Sequence, residues 1–158
     1  MCCVWPTLTT LTLDYSKVDL FVIVSKGCFP NVTALKIQGQ AQYMPVGVPE
    51  KLRILYRGLP NLRPLEFDSG RFVIPAPQVE TLIFRPAEWN ALAWIRGFLT
   101  MRKHSTDAMA LKRIEVHWCA DDLRPVAWVG MEKLAQDAGI QVVVFWRGES
   151  ARVYAEGK

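Results

Sequence analysis

Apolar positions recur along this chain in a fixed phrase. A proline is followed two residues later by Leu or Val, after three more by Leu, and two beyond that by Leu, Ile or Phe. The copies are Pro6, Leu8, Leu11 and Leu13; Pro30, Val32, Leu35 and Ile37; Pro60, Leu62, Leu65 and Phe67; and Pro77, Val79, Leu82 and Phe84. Two further copies lack the proline: Leu111, Ile114 and Val116, then Ile140, Val143 and Phe145. The last two apolar positions of each copy alternate with other residues, the period of a strand with one buried face. This predicts strands near 10–14, 34–38, 64–68, 81–85, 113–117 and 142–146. Leu11, Leu35, Leu65, Leu82, Ile114 and Val143 should then form one buried row. The proline cannot continue a helix, so it ends the preceding element and hands the chain to the strand.

Between the strands the apolar period becomes helical. Leu52, Leu55, Tyr56 and Leu59 follow Pro49 at helical spacing, with the proline suited to a first turn. Residues 87–101 place Ala91, Leu92, Trp94, Ile95, Phe98 and Leu99 on one broad face. Residues 129–138 do the same with Met131, Leu134, Ala135 and Ala138, and Gly139 supplies a left-handed C-cap. Residues 16–26 fit either a helix opened by Ser16 or a strand over 18–24. Residues 102–109 read as a loop, and 148–158 as a polar, frayed tail. First-apolar positions 8, 32, 62, 79, 111 and 140 are separated by 24, 30, 17, 32 and 29 residues. Most steps hold a strand, a turn and a helix, but the 17-residue step, crowded by Pro75 and Pro77, has room only for an extended or turn segment. The expected fold is α/β: a short, irregular leucine-rich-repeat solenoid over residues 1–147, with a parallel sheet of about six strands and helices and loops on the other side.

The phrases Phe29-Pro-Asn-Val-Thr-Ala-Leu-Lys-Ile37, Leu59-Pro-Asn-Leu-Arg-Pro-Leu-Glu-Phe67 and residues 111–119, with the closing residues 134–142, resemble the leucine-rich-repeat region of fungal F-box-like proteins. In that family an F-box docks on a cullin-based ubiquitin ligase while the repeats hold a substrate. The resemblance therefore implies the substrate-holding half of a ubiquitin-ligase adaptor. The chain departs from the pattern in two ways: no F-box precedes the repeats, and the ladder asparagine of standard leucine-rich repeats is missing after the strands. It reads as a C-terminal piece of a longer array.

Charge sharpens this picture only a little. The net charge is +4 over 158 residues, with Arg102-Lys103 and Lys112-Arg113 the only basic doublets. A nucleic-acid partner would call for a clustered basic face, so none is expected. The apolar run 18–24 is too short to span a bilayer, no secretory leader opens the chain, and a cytoplasmic or nuclear location follows. Cys2, Cys3, Cys28 and Cys119 show no disulfide framework and read as small buried hydrophobes. The first strand follows Met1 almost at once, so Val4, Trp5 and Leu8 should lie near an uncapped edge through which copies self-associate.

Chemistry-bearing residues are sparse. Glu115, His117 and Cys119 would share one side of a strand, but no second ligand pair or base accompanies them. Asp121-Asp122 reads as a turn or helix start, and no phosphate-binding glycine loop is present. The reading is therefore of a non-enzyme with no metal and no cofactor. In a parallel stack the residues alternating with the buried positions emerge together. That places Lys36, Gln38, Glu66, Asp68, Arg85, Arg113, Glu115, His117 and Trp146 on a face that can bind a protein partner, or simply be solvated. The alternative is a small α/β enzyme whose ligand sits at strand C-terminal ends, near Asp14, Asp68 or Asp121.

Overall fold

The structure, a computed structural model, describes residues 3–4, 7–14, 27–39, 47–68, 73–102, 104, 109–119, 128–146 and 152–154. Six parallel strands run in chain order: β2 (Thr10–Asp14), β4 (Ala34–Gln38), β5 (Pro64–Phe67), β6 (Thr81–Ala87), β7 (Arg113–Trp118) and β8 (Gln141–Trp146). Each sits within one or two residues of its expected span. A seventh, β9 (Arg152–Tyr154), pairs antiparallel with β8. The supposedly frayed tail thus contributes a strand. β1 (Cys3–Val4) and β3 (Gly27–Cys28) form a separate two-stranded parallel pair. Residues 16–26, Trp5 and Asp121-Asp122 lie outside the described residues.

The repeated proline has a specific job. Val32 N donates to Phe29 O (3.2 Å), Leu62 N to Leu59 O (3.1 Å) and Val79 N to Ala76 O (3.1 Å). Each bond closes a β-turn with Pro30, Pro60 or Pro77 at its second position, where a fixed φ near −65° is pre-set for the turn. Successive turns are tied together, because Asn61 Nδ2 donates to Pro30 O at 2.8 Å. Directly after the turns, one residue per unit joins a file of hydrogen bonds across the sheet. Thr33 N bonds to Thr9 O, Arg63 N to Thr33 O, Glu80 N to Arg63 O, Lys112 N to Glu80 O and Gln141 N to Lys112 O, all at 2.9–3.0 Å.

Helices α1 (Val48–Arg57), α2 (Trp89–Arg102) and α3 (Met131–Ala138) are the helices among the described residues. Their inward side chains, including Leu52, Leu55, Ala91, Ile95, Leu99, Met131 and Ala135, join Leu35, Leu65, Leu82 and Ile114 in one buried cluster. The anticipated face of α2 is inward: Trp94 stacks on Phe98 (4.8 Å between ring centres) and tilts against Phe84 (5.6 Å). Gly139 ends α3 at φ +66°, as expected of a left-handed cap. The buried row is also found, with two differences. Leu11, on the edge strand β2, is only half-buried, and the last place in the row belongs to Val142; Val143 is buried as expected, at 3% exposure, but it aligns with Glu115 on the opposite face of the sheet.

That substitution corrects the face assignment of the whole of β8. In the other copies the first apolar residue and the strand's first inward residue are three apart, as in Leu111 and Ile114. The extra residue shows where Thr33 N and Ala34 N both reach Thr9 O, and where Lys112 N and Arg113 N both reach Glu80 O. In β8 the step is two: Ile140, Val142, Val144 and Trp146 alternate without interruption and are all buried. Trp146 therefore lies opposite Trp118 in register and is 6% exposed. It is a core residue, not a member of the open face. A slip of one residue exchanges every side chain between the faces, and the run Val142 to Phe145 contains no polar residue to mark it.

Candidate functional site: the open face of the sheet

The helices cover one face of the sheet, and the strands' polar positions emerge on the other. Register aligns Lys36, Glu66, Ile83, Glu115 and Val143 in one row across five strands. Alternation puts Gln38, Asp68, Arg85, His117 and Phe145 in the next, and His117 is paired with Phe145. Eight of the nine expected residues, Lys36, Gln38, Glu66, Asp68, Arg85, Arg113, Glu115 and His117, are thus brought to one face, all partly or fully exposed. Trp146 is not among them; Phe145 takes its place. Spacing had assigned Phe145 to the core, and only the two-residue step in β8 reveals otherwise.

The side chains on this face are linked. Lys36 Nζ lies 2.8 Å from Glu66 Oε1. Arg113 Nε lies 2.8 Å from Glu115 Oε1, in an ion contact without the alignment of a hydrogen bond, while its Nη1 donates to Gln141 Oε1 at 3.2 Å. Asp68 Oδ2 accepts from Gly39 N at 3.0 Å, which fixes the chain as it leaves β4. Arg85 Nη2 is 2.9 Å from His117 Nε2. A guanidinium can only donate, so Nε2 is an acceptor and the ring is neutral, with its proton on Nδ1. Phe145 stacks on the same imidazole at 4.6 Å and 10°. Partial burial lowers the His117 pKa first and the Arg85 charge adds to it, against the pull of Glu115 and Glu66.

The sign of that shift gives a pH dependence. The unfolded chain takes up the proton near pH 6.5, before the folded ring does, so stability falls as pH drops below that value. His117→Gln should flatten this part of the profile. Denaturant midpoints between pH 7.5 and 5 should fall more steeply for the parent chain than for the variant, and equal slopes would disprove the contact.

The alternative sites converge less. Asp14 ends β2 and Asp68 follows β5, two strand spacings or about 10 Å apart, and Asp121 lies outside the described residues. Cys119 is exposed, contrary to the expected buried role, and both its amide and its thiol are turned to Ala87 O, each at 3.2 Å. Glu115 Oε2 is 4.0 Å from His117 Nε2. Among the described residues no group of His, Cys, Asp and Glu is arranged to hold a metal, and no helix is long and apolar enough to cross a membrane.

Sequence reading missed the aromatic cluster at the C-terminal ends of β7 and β8. Trp118 packs edge-on against Trp89 (5.3 Å), Trp128 (5.8 Å) and Trp146 (6.2 Å). Trp128 is buried, whereas Trp89 is 47% exposed. Only the fold brings these residues from four segments together. Comparison with protein-family models, curated proteins and solved structures finds no match to this chain.

Proposed function

We propose that the chain is a protein-recognition module, a short leucine-rich-repeat-like solenoid whose open sheet face holds a protein partner. The observation that carries this reading is the group of charged, polar and aromatic side chains gathered on that face, centred on His117, which is hydrogen-bonded to Arg85 and stacked on Phe145. Both charge signs occur on the face, which suits a protein surface better than a phosphate backbone. Arginine and aromatic anchors side by side are the types that most often dominate an interface. Strands in chain order and proline-led turns support the solenoid reading. The resemblance of the repeated phrase to F-box-like proteins points to the substrate-binding repeats of a ubiquitin-ligase adaptor, acting by binding and not by catalysis in the cytoplasm or nucleus.

The test is capture of partners from native cell extract by the parent chain and three variants. Arg85→Glu and Phe145→Ala alter the open face, while Lys133→Glu changes an exposed position on α3. Reversing a charge at the centre of an interface places like charges together, so the first should weaken capture about tenfold or more, a change of about 1.4 kcal/mol. Phe145→Ala should act in the same direction, and Lys133→Glu should be silent. Denaturation of each variant separates lost binding from lost folding. Equal capture by all four folded proteins would remove the sheet face as the site.

A further inference from the structure

The connection between β5 and β6 is too short for a helix, and its described part, residues 73–80, is irregular and ends in the Pro77–Gln78 turn. Where α2 and α3 pack together, α1 has no comparable helical neighbour among the described residues. The space left beside α1 is a cavity of about 400 Å³. It is half open to solvent and lined by Tyr56, Pro60, Pro75, Pro77 and Gln78, with Arg53 and Arg57, both exposed, one helical turn apart.

The cavity is held in shape by the chain itself. The Tyr56 hydroxyl donates to Ile74 O at 2.8 Å, and Gln78 Nε2 donates to Tyr56 O at 2.8 Å and Leu59 O at 3.1 Å. These bonds fasten the return segment to the end of α1, so the walls exist before any ligand arrives. Charge at the cavity is unbalanced. Among the described residues Arg53 has a single exposed contact, to Glu50 Oε2 at 3.3 Å, a weak pair in water. Arg57 has no ion-pair or hydrogen-bond partner among the described residues. A basic residue in the last turn of α1 suits the helix dipole, but that accounts neither for Arg53, a turn earlier, nor for an apolar cavity beneath both.

We propose that this cavity is a binding site for a small organic anion, a carboxylate or phosphate group carried on an apolar body of about ring size. The prolines and Tyr56 would enclose the body, and the two guanidiniums would meet the charge with donors in a fork suited to either group. The site lies on the connection between strands and is separate from the open sheet face.

Phenyl phosphate and benzoate are the probes, titrated into the full chain and followed by amide chemical shifts, with benzyl alcohol as the uncharged counterpart. At least one anion should give saturable shifts confined to residues 53–60 and 73–78, and benzyl alcohol should give none there. Arg53→Ala and Arg57→Ala should each weaken binding about tenfold or more, the usual effect of losing a charged hydrogen bond. Lys133→Ala should leave it unchanged. The proposal fails if neither anion saturates, if both arginine variants bind as the parent does, if Lys133→Ala weakens binding equally, or if benzyl alcohol binds as well as the anions.

Discussion

Trp146→Ala is expected to cost about 3–5 kcal/mol, the range for truncating a buried large aromatic residue. The side chain is 6% exposed and meets Trp118 and Trp128 edge-on at 6.2 and 6.1 Å. Edge-to-face pairs add to the area term because the positive ring edge of one residue meets the negative face of another. Alanine would leave a void beside two remaining indoles that cannot collapse freely, since Trp118 is fixed on a central strand and Trp128 at the entry to α3. Phe145→Ala, one residue away on the open face, should cost much less. Chemical denaturation of both variants decides the matter. A cost below about 1 kcal/mol at Trp146, smaller than at Phe145, would show that β8 faces the other way.

Leu65→Ala is the second large effect, expected at about 2–5 kcal/mol. Leu65 is fully buried on β5, between Leu35 and Leu82 in register, with the helix-lined core beneath it. Removing its branched end deletes apolar contacts on both sides, and the neighbouring strands are held by their own hydrogen bonds and cannot close the gap. Leu11 occupies the same place in the first phrase but sits on the edge strand and is only half-buried. Leu11→Ala should therefore cost clearly less. Equal losses at the two positions, measured as denaturant midpoints at constant m, would mean that the row is not graded from edge to centre.

How much of this was legible beforehand depends on what each residue had to reveal. Leu35 and Ile37 lie beside Lys36 and Gln38, so their alternation exposes both faces and the strand could be placed to the residue. Pro30, Pro60 and Pro77 told equally plainly where one element stops, although their role in β-turns needed the bonds from Val32, Leu62 and Val79. The parity of β8 was not legible. Ile140 to Trp146 is apolar except for Gln141, and the missing residue after Ile140 changes no composition and breaks no motif. The tryptophan cluster was hidden for another reason: Trp89, Trp118, Trp128 and Trp146 are far apart in sequence, and only the order of the strands brings them together. On the open face, residue types and spacing identified eight members correctly. Which side chains would touch, as Arg85 does His117, depends on register between strands and was beyond reach.

The file of hydrogen bonds through Thr9, Thr33, Arg63, Glu80, Lys112 and Gln141 gives the sheet a polarity. Every amide in it points its N–H toward the preceding unit and its carbonyl toward the next. A parallel continuation of this file would join the two lateral edges as unlike partners, the β8 side of one copy against the β2 side of another. Two copies joined by continuing this pattern would have to meet head to tail, a contact that builds a ring where its rotation closes and an open filament where it does not. β9 stands in the way. By running antiparallel along Val142 to Val144 it occupies the place a following copy's first strand would need, so the hydrogen-bonding edge that a directional continuation would use is already taken within the chain.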